Sequence, residues 1–303
     1  RRGRVHERTH ERDTITYKEI VRNRPRERAR PRRGKVTFYF ANVTSWSQKA
    51  FDYLATAGTP LATADVAAIA EHHKKADGLT AAVKQLHKLG WRVSAQASTD
   101  TGVAVHREGQ GHSGVWIQAR SHLQQRGLSA EAKEAVQLAE YTGVESQWTA
   151  RTIRMSGYEV VFAVVYLAPG DGLQGANYIT LQEVGTYLKV MGAPFILAGD
   201  FNLTVEELLP YGMHTFLAAE WRSPPGGTPG GHRGIDLILI SSPRAAKAAL
   251  HWDYSGPWAQ PHTGMWATLD VTSFSEAITI FQAPPEIAMA SGPDLPWEMH
   301  KAI

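Results

Sequence analysis

Pro194-Phe-Ile-Leu-Ala-Gly-Asp-Phe-Asn202 joins a short, wholly apolar run to an abrupt polar end. The run 194–198 is too short for a typical helix and has the composition of a strand buried on both faces, which occurs in sheets covered by helices. In extended backbone Asp200 and Asn202 project to one side and Phe201 to the other. The aromatic ring then anchors the segment in the core while two polar groups emerge where the strand stops. At ordinary residue usage, Gly199-Asp-Phe-Asn202 arises by chance on the order of once in 500 chains of this length. A common strand-to-turn junction accounts for Gly, Asp and Asn, but not for their place behind a buried strand.

The same texture recurs outward from this point. Extended segments are predicted at 36–41, ending at Asn42, and at 66–70, 91–95, 102–106, 114–118, 148–155, 159–167, 235–240 and 265–271. Helices are predicted at 50–57, at 74–89 closed by Gly90, at 129–141, and at 177–190 with Asn177 as its cap. The strands 102–106 and 114–118 pair through the turn 109–113, and Ser156-Gly157 joins a hairpin. Alternating helical and extended segments indicate a layered α/β domain. The stretch 121–144 has the look of an insertion and suggests no role.

Of the 303 residues, 43% are apolar and 20% charged, which excludes wholesale disorder. No apolar run approaches the roughly 18–20 residues of a membrane span. Without cysteine the chain cannot form disulfides, thiolate metal sites or a cysteine nucleophile, so any metal must be held by oxygen or imidazole. This fits a reducing compartment, and a nuclear or intracellular location is expected. The net charge of +3 conceals an asymmetry. Residues 1–34 hold thirteen cationic side chains against five acidic ones, a net of +8 that leaves −5 for the remainder. Prolines at 25 and 31 oppose a helix there, so the division expected is a basic disordered arm at 1–34, a folded domain at 35–272 and a proline-punctuated tail or linker at 273–303. Such an arm suits a polyanion through counterion release, and equally a localisation signal or solubilising linker.

Polar groups cluster where the predicted strands stop. Glu71 follows an apolar strand and offers carboxylate oxygen, the donor that Mg2+ prefers. The adjacent His72 and His73 lack the spacing of a helical zinc motif and are expected on the solvent or substrate side. Asp236 lies in an apolar strand, where a lone carboxylate costs several kcal/mol unless paired. His262, just ahead of the last strand, can supply that partner. Tyr166 ends the run from Val160 and is either a packed core tyrosine or a site residue. Trp46, Trp221, Trp252 and Trp258 suit base stacking or core packing, and no site is drawn from them.

Taken in order, Asn42, Glu71, Gly102-Val-Ala-Val105, Tyr166-Leu-Ala-Pro169, Gly199-Asp-Phe-Asn202, Ile235-Asp-Leu-Ile-Leu239 and His262 resemble the endonuclease/exonuclease/phosphatase family over residues 36–272. The resemblance implies a two-sheet, four-layer α/β sandwich of deoxyribonuclease-like type. It implies a magnesium-dependent (Mg2+, alternatively Mn2+) phosphodiesterase with Glu71 as main metal ligand and Asn42 and Asp200 nearby. Asn202 is then a phosphate contact, Asp236 and His262 a catalytic dyad, and Tyr166 a transition-state donor, with Asp200 or His262 taking the proton of water. Two positions depart from the family pattern. Thr44 and Pro261 stand where carboxylates are common, and a catalytically impaired nucleic-acid-binding platform is the alternative this raises.

The family acts on DNA, RNA and small phosphate esters such as inositol phosphates, and the basic arm favours DNA. A first residue other than methionine, an arm before the domain and a tail after it suggest a piece of a longer polyprotein. That layout resembles a LINE-type (non-LTR) retrotransposon, in which the endonuclease precedes a reverse transcriptase module and nicks target DNA.

Overall fold

A computed structural model describes residues 35–99, 113–136, 146–155, 158–224, 234–242, 248–258 and 262–270. The basic arm, the predicted strand 102–106, the turn 156–157, Pro261 and the tail lie outside them.

Two mixed six-stranded sheets face each other. The first contains β1 (Lys35–Asn42), β2 (Val66–Ala70), β3 (Trp91–Gln96), β4 (Val115–Arg120), β11 (Ala248–Asp253) and β12 (Gly264–Asp270), in the order β11-β12-β1-β2-β4-β3. The second contains β5 (Gln124–Gly127), β6 (Trp148–Met155), β7 (Tyr158–Tyr166), β8 (Phe195–Asp200), β9 (Ala219–Arg222) and β10 (Asp236–Ser241), in the order β5-β6-β7-β8-β10-β9. Alternate residues of each sheet form the core between them, among them Phe38, Phe40, Ala68, Phe162, Val164, Ile196 and Ile238.

The remaining faces are covered by helices. Tyr39, Ala41, Ala67 and Ile69 pack beneath α1 (Gln48–Ala55), α2 (Pro60–Thr63) and α3 (Ala76–Lys88). Val161, Ala163, Val165 and Leu197 pack beneath α5 (Gly175–Met191) and the short helices α6 (Val205–Leu208) and α7 (Met213–Phe216), while α4 (Ala130–Glu134) joins the end of the same cluster. The result is the four-layer α/β sandwich that the family resemblance implies. Its central strands β2, β8 and β10 are buried along their whole length, which explains their unbroken apolar runs.

Both sheets contain a central parallel pair, β1 with β2 and β7 with β8. Polar residues cap the carboxyl ends of these pairs, the usual place for ligand sites in layered α/β proteins. Register sets them side by side. Asn42 lies opposite Ala70, one residue before Glu71; Tyr166 lies opposite Asp200 on β8, and Asp236 lies opposite Asp200 on β10.

Several local expectations are corrected. Asn177 is not a helix cap, because α5 begins at Gly175 after Gln174. Its buried amide accepts from the Ala168 N–H and donates to the carbonyls of Ala168 and Gly172, tying down the loop behind Tyr166. The helix predicted at 129–141 is only Ala130–Glu134 within the described residues, and the 121–144 stretch also contains β5. Strands β5, β9 and β11 escape the sequence reading; all are sheet edges, where one side is unpaired and apolar alternation weakens. The four tryptophans pack: Trp46 edge-on to Trp116, Trp258 against Tyr39, Trp221 against Phe201, and Trp252 against the inter-sheet core.

Candidate active site at the strand ends

Glycine at 199 is required by the approach of β7. A Cβ at this position would lie 2.4 Å from the Val165 carbonyl oxygen and 2.5 Å from its Cγ1. The missing side chain lets the two parallel strands close beside Tyr166 and Asp200.

Asp200 is almost wholly buried. Its Oδ2 accepts from the Asn42 amide at 2.8 Å and its Oδ1 from the Asn202 N–H at 2.9 Å, which links the ends of the two sheets. Burial first, then the charge of Asp236, and further the charge of Glu71, push its carboxyl well above the ordinary range; His262 and the Asn202 N–H act in the opposite sense. Asn42 in turn accepts at Oδ1 from the Thr44 N–H at 2.8 Å, so Thr44 helps orient this amide through its backbone. Asn202, with φ of 50°, donates its side-chain amide to the Leu167 carbonyl at 2.7 Å.

Asp236 is fully buried and accepts from His262 Nδ1 at 2.8 Å. Burial opposes its ionisation and raises its pKa, against the lowering influence of His262 and the Thr263 N–H. Burial also works against the imidazolium. The Asp236 hydrogen bond and the charges of Asp236, Asp200 and Glu71 outweigh it and push the His262 pKa up to about 9. The second ring nitrogen faces Glu71, with Nε2 4.0 Å from Oε2.

Glu71 stands just past β2 with φ of 53° and a side chain 17% exposed. Tyr166 is buried beside it. Burial, followed by the charges of Glu71 and Asp200 and a hydrogen bond to Glu71, pushes the tyrosine hydroxyl well above its usual range, so it stays neutral. All the sequence-selected residues, Asn42, Glu71, Tyr166, Asp200, Asn202, Asp236 and His262, are therefore brought to one end of the sandwich.

The two histidines after Glu71 are not solvent-facing. His72 is fully buried, stacked on Trp116, and accepts at Nδ1 from the Lys74 N–H at 3.0 Å. Its Nε2–H therefore donates to the Gln96 carbonyl at 3.0 Å. Burial lowers its pKa to about 3, and a Cβ at Gly114 would meet its ring at 2.5 Å. His73 reaches the site instead: its side chain is 10% exposed and its Nε2 lies 4.0 Å from Glu71 Oε1. No local period points to it, because Glu71 and His73 both leave the strand in left-handed backbone, and only its place two residues after Glu71 marks it in the sequence.

Ligand atoms of Glu71, Asp200 and His262 lie within 4.8 Å of one another. Two carboxylates are crowded here with Asp236 close by, although burial and mutual repulsion push Asp200 toward neutrality. Oxygen donors held under that stress fit a hard divalent cation, whose charge offsets both costs.

No protein-family model and no curated protein matches the chain. Solved structures do. The catalytic domain of human Nocturnin, determined with bound sulfate, is 16% identical with a TM-score of 0.56, over 78% of this chain and 94% of that one. The endonuclease domain of TRAS1, a telomere-specific non-LTR retrotransposon, is 16% identical with a TM-score of 0.52, over 77% and 98%. A 3'-5' exonuclease from Neisseria meningitidis is 17% identical with a TM-score of 0.52, over 78% and 100%. The chain has the deoxyribonuclease-like fold of the endonuclease/exonuclease/phosphatase proteins.

Proposed function

We propose that the protein is a divalent-metal-dependent phosphodiesterase, using Mg2+ or Mn2+, and that its substrate is DNA, cleaved internally. One observation carries this: Glu71, Asp200 and Asn42 meet a His262–Asp236 pair and Tyr166 at the carboxyl ends of both parallel strand pairs. Glu71 would be the principal metal ligand, with Asp200 and Asn42 beside it. When bound, the cation supplies charge neutralisation for the phosphate and acidifies water.

The protein groups divide the remaining work. His262, charged at neutral pH, offers an Nε2–H to a non-bridging phosphate oxygen, and Asp236 keeps it charged and oriented. An imidazolium cannot also accept a proton. Asp200, whose basicity is raised, is then the group that receives the proton of the attacking water. Tyr166 stays neutral and donates its hydroxyl where negative charge develops. Asn42 fixes the Asp200 carboxylate, and Asn202, with one amide hydrogen committed to Leu167, retains another for phosphate.

The choice of DNA is supported by the basic arm and the likeness to the TRAS1 endonuclease domain. These features also suit an endonuclease followed by a reverse transcriptase in one polyprotein. Nicking of supercoiled plasmid tests the reading. Wild type is expected to nick with Mg2+ or Mn2+ and not with EDTA, while Glu71→Gln and His262→Ala lose the activity. Activity indifferent to all three perturbations would remove the site assignment. Salt-sensitive DNA binding without nicking would favour an impaired binding platform, and phosphate release from inositol phosphates a phosphatase.

A further inference from the structure

We propose that His73 is an additional ligand of the metal centre and that it biases this centre toward Mn2+ over Mg2+. The inference rests on the metal-centre reading given under Proposed function. Glu71 and His73 flank the fully buried His72, and both adopt left-handed backbone, with φ of 53° and 54°. Such backbone is strained for a residue other than glycine and persists only where the surroundings impose it.

Here they do. The His72 N–H donates to the Gly114 carbonyl at 3.2 Å and the His73 N–H to the Ser113 carbonyl at 3.0 Å. The His72 ring is locked by Trp116, Lys74 and Gln96. The segment is thus clamped around its middle residue, and the outer two side chains meet.

Their spacing is informative. His73 Nε2 lies 4.0 Å from Glu71 Oε1, the carboxylate oxygen that does not face His262. A direct imidazole–carboxylate hydrogen bond would close to about 2.8 Å. Two donors bonded to one cation at about 2.1 Å stand roughly 3–4 Å apart, so the gap suits a shared ion. His262 already commits its other nitrogen to the buried Asp236, whereas His73 adds an imidazole on the opposite oxygen of Glu71. Mg2+ favours an all-oxygen shell, while Mn2+ lies on the series of metals that accept imidazole nitrogen more readily.

Titration calorimetry of the metal-free full chain with MnCl2 and MgCl2, together with nitrogen-sensitive pulsed EPR of bound Mn2+, tests this without reference to activity. Wild type should bind Mn2+ about tenfold or more tighter than Mg2+ and show coupling to an imidazole nitrogen. His73→Ala and the bulkier His73→Gln should each lose about tenfold in Mn2+ affinity, together with that coupling, and change Mg2+ affinity less than about threefold. His262→Ala should keep the coupling, and His73→Asp should swing preference toward Mg2+. Equal wild-type affinities, or absence of imidazole coupling in wild type, would overturn the proposal even if every variant at His73 failed to fold. Unchanged Mn2+ binding in His73→Gln, or an equal loss for both ions, would do the same. Failure of the underlying metal centre is read separately: Glu71→Gln would then bind both ions as wild type does.

Discussion

Replacing Asp236 with asparagine removes one charge from the site and almost no volume. Asp236 is fully buried and its Oδ2 lies 2.8 Å from His262 Nδ1, so the amide oxygen of asparagine can still accept the Nδ1 hydrogen bond. The stabilisation of the imidazolium is lost. His262 stands at about 9 against an ordinary 6.5. At about 1.4 kcal/mol per pH unit, this gap is worth ~3 kcal/mol in favour of the charged ring. Burial, the largest single influence on this ring, acts downward and only the charges of Asp200 and Glu71 are left to oppose it, so without Asp236 the pKa should fall. The neutral fraction of the ring at pH 7.5 then rises, and a neutral ring cannot donate from Nε2 while Nδ1–H serves residue 236. Loss of a donor to the transition state predicts a fall in kcat of about 10²–10³ with KM little altered. Imidazole NMR across pH 5–10 in EDTA, paired with single-turnover plasmid nicking, checks both halves. A variant ring that still titrates near 9, or a variant that nicks at the wild-type rate at pH 7.5, would refute the reasoning.

Other perturbations probe the scaffold and the arm. Gly199→Ala forces a Cβ into the Val165 carbonyl at 2.4 Å; overpacking against backbone should cost about 1–3 kcal/mol in denaturant unfolding, and nicking should fall because Tyr166 and Asp200 separate. An unchanged unfolding midpoint would mean that the strands accommodate the methyl group. Asn177→Ala removes hydrogen bonds to Ala168 and Gly172. At about 1 kcal/mol each, roughly 2–3 kcal/mol of stability should go, and a loss below about 0.5 kcal/mol would show that this loop is held by other means. Deleting residues 1–34, with their net charge of +8, should flatten the salt dependence of DNA binding by about 0.9 in log–log slope for each phosphate that the arm neutralises. Identical slopes would remove the arm from DNA recognition.

What the chain disclosed by itself follows the range of the interactions involved. Gly199-Asp-Phe-Asn202 was readable because a buried strand, its end and two same-side polar groups are local properties. The inner strands were readable because burial on both faces leaves an apolar record. Edge strands such as Gln124–Gly127 carry polar residues on a half-paired ladder and leave none. Asn177 misled because Asn suits helix caps on local grounds, while its actual partners, Ala168 and Gly172, lie in a preceding loop. For His72 and His73 the local sequence leaves the solvent and the substrate side open; Trp116 and the Ser113–Gly114 backbone, some forty residues away, draw the first into the core, against both alternatives, and the second to the site side beside Glu71.

Residue type and order alone determined a layered α/β protein with carboxylates, an imidazole and amides waiting at strand ends, since apolar periodicity and the cost of an unpaired buried charge act within a few residues. Only the tertiary structure decided how these groups meet: Asn42 donates to Asp200 across 158 positions and His262 pairs with Asp236 across 26. The reason is geometric. Strand register and the stacking of two sheets set those distances, and both are settled by the packing of the whole core rather than by any segment of the chain.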